Sequence, residues 1–196
     1  RVKRYLHDNI MKIPISIMSD DQRPDNTLLK EFNTPFDNPK QMAFMKRILS
    51  ISDSDSIILD FFSGSSTPAN AVMELNCEEN NNRKFIMVQL PEELNEKAEA
   101  YKKGYKNICE IGKERIRRAG EKLISENKDQ DGIENLDIGF KVFKLDSSNI
   151  KEWNPDYDKL EQSFENILEN FVPNRTEEDV VYEIMLKYGI DLTYPV

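Results

Sequence analysis

Two short apolar runs with a helical pattern between them dominate the middle of the chain. Residues 56–62 (SIILDFF) form the first run, and residues 83–90 (RKFIMVQL) form the second. Runs of this length predict β-strands, and the unbroken first run predicts a strand that is buried on both faces. Between them, Ala69, Val72 and Met73 recur at helical spacing. Strand, helix and strand within about 35 residues predict a βαβ unit with parallel strands and a right-handed connection.

The segments around this unit are predicted from the same patterns. Helical periods predict three more helices, one after Pro39 and two over residues 92–101 and 107–125. Residues 1–33 show no regular period and are interrupted by prolines. They are therefore predicted to be loop, with room for one short strand.

The C-terminal third is expected to be a small α+β appendage. A polar stretch over residues 126–135 predicts a linker, and residues 139–145 (GFKVFKL) predict a strand. Asn-Pro at residues 154–155 predicts the start of one helix, because proline is favoured at the first helical position. The Thr-Glu-Glu-Asp sequence at residues 176–179 resembles a capping box, which predicts the start of a last helix.

Composition narrows the class of protein. Acidic residues outnumber basic ones 36 to 27, and the formal charge is -9, which is the wrong sign for a chain that holds nucleic-acid phosphates over its whole surface. Two cysteines and one histidine exclude a Cys/His metal cluster and a disulfide framework. No apolar stretch is long enough to cross a membrane and no signal peptide is recognisable, so a cytoplasmic location without a membrane partner is expected. Because Arg1 opens an apparently structured stretch without an initiator methionine, we expect a piece of a longer protein.

The candidate chemistry lies where the first predicted strand ends. Asp60 is near its end, and the Ser/Gly stretch at residues 63–67 leads directly into the predicted helix. Backbone amides at such a turn point outward at the carboxyl end of a sheet, and small residues let a ligand approach them. Gln89 ends the next strand. In nucleotide-binding sites of this kind, a polar residue at this position forms a hydrogen bond with a ribose hydroxyl. The two strand ends therefore predict a site for an adenosine-containing ligand, with a plain structural turn as the alternative.

Other nucleotide-binding classes fit less well. Gly64 is the one glycine of the turn, whereas a dinucleotide site needs the pattern G-x-G-x-x-G. A phosphate-binding P-loop also needs Gly-Lys-Ser/Thr after the turn, and this sequence lacks it. A dinucleotide domain and a P-loop are therefore disfavoured.

Three segments resemble motifs of a known family. Residues 60–67 (DFFSGSST) resemble the D-x-F-x-G-S-G-T-T cofactor loop of the beta group of DNA amino-methyltransferases. Residues 36–41 (FDNPKQ) resemble the F-x-x-P-K-P motif that precedes this loop. Residues 83–92 (RKFIMVQLPE) are similar to the R-x-F-I-L-V-Q-L-P-E strand of type III modification subunits in particular. The likeness continues over residues 111–119, 139–148 and 182–187, and so covers nearly the whole chain.

The resemblance implies a fold, a cofactor and a set of site residues. The implied fold is α/β, a partial Rossmann-like S-adenosylmethionine-dependent methyltransferase fold with a small C-terminal α+β appendage. The implied domains are the end of a target-recognition region (residues 1–33), a cofactor-binding lobe (34–126) and the appendage (127–196). The implied cofactor is S-adenosyl-L-methionine. The residues expected to bind it are Pro39, Lys40, Asp60, Phe62, Ser63, Gly64, Ser65, Ser66, Thr67, Gln89 and Leu90.

The sequence departs from the family pattern at several points. Ser66 replaces the second glycine of the loop, which adds a side chain near the expected ligand, and Gln41 replaces the second proline of the upstream motif. Gln89 replaces the carboxylate of other methyltransferases, although it matches the type III subunits. The catalytic D-P-P-Y-type tetrapeptide, which receives the flipped base in the family, does not occur in these 196 residues. No catalytic residue is therefore assigned, and this chain alone is expected to be inactive.

Two functional hypotheses follow. The first is the cofactor-binding portion of a site-specific DNA (adenine-N6) methyltransferase of a type III restriction-modification system. Its expected partners are DNA, bound mostly by regions outside this chain, a restriction subunit and a second modification subunit, with no metal. The alternative is a non-catalytic assembly module that docks one of those subunits.

Several residues also have a simpler interpretation. The charged run at 113–118 fits a solvated helix face, Asp60 fits a turn cap, and no function is needed for His7, Cys77 and Cys109.

Overall fold

The structure is a computed structural model that describes residues 21, 23–151 and 170–196. The chain divides into two compact units, Arg1–Gly139 and Phe140–Val196. The described helices and strands of the first unit are α1 (Arg23–Glu31), α2 (Met42–Leu49), β1 (Ile57–Asp60), α3 (Thr67–Glu79), β2 (Lys84–Met87), α4 (Glu99–Lys102), α5 (Ile108–Glu126) and a 3₁₀ turn (Ile133–Asn135). The second unit contains α6 (Glu177–Tyr188).

The predicted βαβ unit is confirmed. β1 and β2 pair in parallel, in a register that runs from Ile57 opposite Lys84 to Asp60 opposite Met87. α3 connects the two strands and packs against both of them. A mixed helix and strand order around a small parallel sheet makes the fold of this unit α/β.

The sheet is buried on one face, whereas the apolar run of β1 predicts burial on both. Ile58 and Phe85 point toward the core, where they pack against Leu49, Val72 and neighbouring apolar residues of α2 and α3. On the opposite face Ile57 is 61% exposed, Leu59 49% and Ile86 50%. Side chains alternate between the two faces of a strand, and no element in the described part of the chain buries the second face. The prediction of a doubly buried strand is therefore wrong for this structure.

α3 is the centre of the first unit. Ten of its residues are buried, from Thr67 to Cys77, because it packs against the sheet, α2 and α5. Its buried polar side chains have hydrogen-bond partners, as buried polar groups require. Asn76 accepts from the backbone N–H of Arg83 at 3.0 Å and donates to the Arg83 carbonyl at 2.8 Å. This amide bridge fixes the residue at which the chain enters β2.

Two of the helix predictions are confirmed. The helix after Pro39 is α2, and the helix expected over 107–125 is α5. Asn107 caps α5, since its side-chain oxygen accepts from the backbone N–H of Glu110 at 3.1 Å.

The helix predicted over 92–101 is largely wrong. Only the short α4 forms at its end, because the backbone before α4 pairs instead with the segment that precedes α5. Leu94 N–H donates to the Lys106 carbonyl at 2.9 Å, and Ile108 N–H donates to the Glu92 carbonyl at 3.1 Å. These hydrogen bonds use groups that a helix would need internally.

The loop predicted over residues 1–33 contains a helix in its described part. α1 begins after Asp21, whose carboxylate accepts from the backbone N–H of Arg23 at 3.0 Å, and Pro24 occupies an early helical position. Leu29 of α1 is buried, and Asp25 accepts from the backbone N–H of Met42 at 2.8 Å at the start of α2. Tertiary packing therefore stabilises a helix in a segment that has no clear period.

The second unit is built around α6. The predicted capping box is confirmed: Thr176 Oγ1 accepts from the backbone N–H of Asp179 at 3.1 Å, and the Asp179 carboxylate accepts from the backbone N–H of Thr176 at 2.9 Å. These hydrogen bonds lower the pKa of Asp179. The helix predicted from residue 154 lies outside the described residues.

The strand predicted over 139–145 is not formed. The side chain of Lys141 holds this segment instead. Its Nζ donates to the carbonyls of Leu192 and Tyr194 at 2.9 and 2.6 Å. Ile150 and Phe171 form an isolated antiparallel bridge in this unit.

The segment after α5 packs back on the first unit. Gln130 Nε2 donates to the carbonyl of Cys77 at 2.9 Å, although residues 126–135 were expected to be a linker. The domain boundary at 126/127 stays a prediction. Within the described residues, no helix is long and apolar enough to cross a membrane, and no group of His, Cys, Asp and Glu is arranged to hold a metal ion.

Candidate functional site

The two predicted strand ends meet at the same edge of the sheet. The backbone N–H of Gly64 donates to Gln89 Oε1 at 2.8 Å, so the turn after β1 is tied directly to the side chain that follows β2. Ser63 N–H donates to the Val88 carbonyl at 3.2 Å, and Val88 N–H donates to the Asp60 carbonyl at 2.8 Å. The parallel ladder therefore continues to the turn, and the expected juxtaposition of Gly64 and Gln89 is confirmed.

The turn itself is tight and left-handed at two positions. Gly64 has a φ of +52° and Ser66 has a φ of +59°, while Ser66 N–H donates to the Ser63 carbonyl at 2.7 Å. Glycine adopts such a φ without cost, whereas a serine there is strained. Asp60 closes the start of the turn, because its carboxylate accepts from the backbone N–H of Phe62 at 3.0 Å.

The exposure of the predicted site residues differs widely. Ser63, Ser65, Ser66, Thr67 and Pro39 are buried, whereas Lys40, Phe62 and Leu90 are exposed. Asp60, Gly64 and Gln89 lie between these extremes. Within the turn at residues 63–67, Gly64 is the residue of intermediate exposure, and the other four are buried.

Gln89 uses both ends of its side-chain amide within the protein. Oε1 accepts from Gly64, and Nε2 donates to the carbonyl of Leu90 at 3.1 Å. A ligand hydroxyl would have to replace one of these contacts. The ribose-binding role of Gln89 therefore stays a prediction.

The upstream motif contributes an aromatic ring to the turn. A Cβ added to Gly64 would lie 3.4 Å from the Cζ atom of Phe36, which is the first residue of the motif at 36–41. Gly64 and Phe36 are thus close neighbours, although 28 positions separate them in the numbering. Two motifs that resemble one family in sequence are brought together by the fold.

Arg115 is the site residue that the sequence reasoning missed. Its side chain is fully buried, and its Nη1 donates to Ser65 Oγ at 3.0 Å and to Thr67 Oγ1 at 2.8 Å. Its Nε donates to Asn70 Oδ1 at 3.3 Å. Burial lowers the pKa of Arg115 to about 10, against the opposing charges of two acidic residues. The guanidinium therefore stays charged at neutral pH.

The charged run at 113–118 was interpreted as a solvated face, which is wrong at Arg115. The interpretation holds for Arg117 and Arg118, which are exposed and form ion pairs with Glu114. Position 115 instead follows Ile111 by four residues, and Ile111 is buried. Residues four apart share a helix face, so the spacing between Ile111 and Arg115 was the signal available in the sequence.

The serine that replaces the second loop glycine packs against α5. A Cβ added to Gly112 would lie only 2.6 Å from Ser66 Oγ and 3.3 Å from the Gly64 carbonyl oxygen. The hydroxyl of Ser66 therefore occupies space that Gly112 leaves open by having no side chain.

A separate cavity of about 330 Å³ lies between α1, α3 and α5. Its lining includes Phe32, Cys77, Leu123 and Gln130, and none of the predicted site residues lines it. Burial raises the pKa of the Cys77 thiol. This cavity is distinct from the turn.

These features define the class of protein as an α/β protein with a tight Ser/Gly turn between the ends of parallel strands. No protein-family model matches the chain. Among curated proteins, the chain is 41% identical over 111 residues to the Type III restriction-modification enzyme StyLTI Mod subunit of Salmonella typhimurium, and the match covers 56% of this chain and 16% of that protein. It is 36% identical over 148 residues to the Type III restriction-modification enzyme EcoP15I Mod subunit of Escherichia coli, covering 74% of this chain and 21% of that protein.

A methyltransferase of another type matches a shorter segment. The Type II methyltransferase M.KpnI of Klebsiella pneumoniae is 34% identical over 92 residues, which cover 46% of this chain and 22% of that protein. The matches span between 16% and 22% of these curated relatives. The chain is a homologue of a segment of the type III modification subunits.

The contact between Ser66 and Gly112 can be tested with a double-mutant cycle. Gly112→Ala improves helix propensity by about 1 kcal/mol, yet its Cβ would overlap Ser66 Oγ, and we expect a net destabilisation of about 1–3 kcal/mol. In a Ser66→Gly background the overlap with the hydroxyl is absent and only the 3.3 Å approach to the Gly64 carbonyl oxygen stays, so we expect Gly112→Ala to destabilise the protein less. Urea unfolding of the four proteins measures the coupling. An equal loss of stability in both backgrounds would contradict the contact.

Proposed function

We propose that this chain is the S-adenosyl-L-methionine-binding portion of a site-specific DNA (adenine-N6) methyltransferase of a type III restriction-modification system. The main support for the proposal is the hydrogen bond between Gly64 N–H and Gln89 Oε1. It connects the turn that follows β1 to the residue that follows β2. Ligands of α/β proteins bind at the carboxyl ends of parallel strands. The homology to Mod subunits supports methylation of DNA as the reaction of the whole protein.

The turn fits a cofactor that has a carboxylate and an adenosine. Gly64 is partly exposed and has no side chain, so a ligand can approach the backbone of the turn at this residue. S-adenosyl-L-methionine supplies an activated methyl group when it is bound. We propose that residues 63–67 bind its methionine end and that Gln89 orients the ribose. Asp60, Phe62, Leu90 and the motif around Pro39 and Lys40 would shape the rest of the site.

The fold proposed for the complete lobe is Rossmann-like. The parallel pair β1 and β2, connected by α3, is the unit from which such folds are built. The apolar face at Ile57, Leu59 and Ile86 also supports a larger sheet with a second covered face. We propose the lobe over residues 34–126 and the appendage over residues 127–196, with residues 1–33 as the end of a target-recognition region.

The acceptor base must be held by other residues. These 196 residues contain no D-P-P-Y-type tetrapeptide, and the net charge of -9 offers little attraction to DNA phosphates. We therefore propose that the chain binds the methyl donor, while residues outside it hold the DNA and the adenine. The proposed partners are DNA, a restriction subunit and a second modification subunit.

A second candidate function is docking of one of these subunits by the second unit. The observation that favours it is a group of exposed apolar side chains in that unit, including Leu145 at 99% exposure and Leu186 at 64%. Isolated exposed apolar residues are ordinary, but several in a small unit favour an interaction surface. A chain that serves docking alone would not bind the cofactor.

Replacement of Gly64 tests the cofactor site. We expect Gly64→Val to abolish binding of S-adenosyl-L-homocysteine, because its side chain would crowd the ring of Phe36 and a φ of +52° is strained for valine, so the turn would have to shift. Gly132→Val is the matched control, since Gly132 also has a positive φ, +86°, but has open space around its Cβ position. Isothermal titration calorimetry measures both variants beside the unchanged chain. Equal affinities in Gly64→Val and the control would remove the turn from the site.

Methyl transfer tests the division of roles. Aligning the methyl donor with the acceptor nitrogen accounts for roughly 7–11 kcal/mol of a barrier in favourable cases. We propose that this chain positions the methyl donor and that other residues position the acceptor. We expect no transfer from labelled cofactor to mixed-sequence DNA by the 196 residues alone, and transfer by a complete modification subunit that includes the tetrapeptide. Robust transfer by the 196 residues alone would contradict the assignment.

A further inference from the structure

We propose that Arg115 positions the turn from inside the protein and makes it selective for a ligand that has a carboxylate. This inference rests on the proposed function, because it concerns the same turn. It adds Arg115 of α5, which lies outside the motifs at residues 36–41, 60–67 and 83–92. Arg115 is a positioning residue, since it acts through Ser65 and Thr67.

The contacts of Arg115 join successive parts of the site. One nitrogen, Nη1, donates to the hydroxyls of Ser65 in the turn and Thr67 at the start of α3, while Nε donates to Asn70 in the first turn of that helix. The guanidinium is planar and rigid, so it holds these acceptors in one arrangement. Arg115 therefore ties the end of the turn to the first turn of α3.

Packing alone does not account for an arginine at this position. Its Nη2 is buried without a hydrogen-bond partner in the described structure, and no described carboxylate forms an ion pair with it. Asp25 and Glu74 favour the charged form, yet burial outweighs them. An apolar side chain of similar size would avoid this desolvation cost. Arg115 therefore places a positive charge, together with three hydrogen bonds, in the interior beside the turn.

The positive charge of Arg115 lies at the start of α3, next to the turn that is proposed to bind the ligand. The helix dipole gives the start of α3 a partial positive charge, and Arg115 adds a full charge at the same helix end, where its Nη1 donates to Thr67 Oγ1 at 2.8 Å. A carboxylate bound at the turn is attracted by both. The adenosine part of a ligand is neutral and gains little from either.

The test compares two ligands that differ by one carboxylate. S-adenosyl-L-homocysteine contains it, and the decarboxylated analogue keeps the adenosine, the thioether and the amine. Both are titrated calorimetrically into the unchanged chain and into Arg115→Met, Arg115→Gln and Arg115→Lys. Arg118→Met is the matched control, because Arg118 is exposed on the same helix. Circular dichroism and thermal unfolding establish that each variant is folded.

We expect Arg115→Met to weaken binding of S-adenosyl-L-homocysteine by about tenfold or more, with the analogue unchanged within about twofold. Arg115→Lys keeps the charge, and we expect it to retain most of the preference for the carboxylate. If Arg115→Met does not fold, Arg115→Gln keeps hydrogen bonds without the charge and is expected to show the same selective loss. Arg118→Met is expected to match the unchanged chain.

Three results would overturn the inference. Equal losses for both ligands in folded Arg115→Met or Arg115→Gln would mean that Arg115 has only a structural role. Unchanged binding of both ligands would mean that the turn does not depend on it. Absence of any binding by the unchanged chain would overturn the proposed function together with this inference, and so the two failures are distinguishable.

Discussion

Parallel pairing of β1 with β2 brings the carboxyl ends of both strands to one edge of the sheet, and the candidate site depends on that pairing. In an antiparallel pair the turn at Gly64 and the amide of Gln89 would lie at opposite ends. The register from Ile57 to Asp60 places them within one hydrogen bond of each other. The connection through α3 is what makes parallel pairing possible, because parallel strands need a crossover.

Two separate segments contact the turn. Phe36, from the segment before α2, lies beside Gly64, while Arg115 and Gly112 of α5 contact the residues that follow. Backbone with a positive φ is costly for Ser66, and burial among packed helices is what maintains it. A turn of this kind is formed before a ligand arrives, which reduces the entropy lost on binding.

Local patterns in the sequence were enough to predict much of this arrangement. The apolar runs of β1 and β2, the period of α3 and the capping box of α6 are local signals, and all four elements form. Features that depend on distant residues were not predictable in the same way. The pairing of residues around Leu94 with those before α5 replaces an expected helix, and the fold of the segment at Lys141 depends on carbonyl groups about 50 residues later.

The site shows the same division between local and distant signals. The positions of the turn at residues 63–67 and of Gln89 were predictable, because each comes directly after a strand that the sequence predicts. The role of Arg115 was not, because it sits in a charged run whose neighbours are solvated. The uncovered face of the sheet was also unforeseen, since an apolar run predicts burial and says nothing of the element that provides it.

The central claim is that an adenosine ligand binds across the two strand ends. Backbone amide chemical shifts in a nuclear magnetic resonance titration with S-adenosyl-L-homocysteine test it most directly. We expect the largest changes at Ser63, Gly64 and Gln89, together with the side-chain amide protons of Gln89. Changes concentrated at Cys77 and Gln130, which line the separate cavity, or no changes at all, would contradict it.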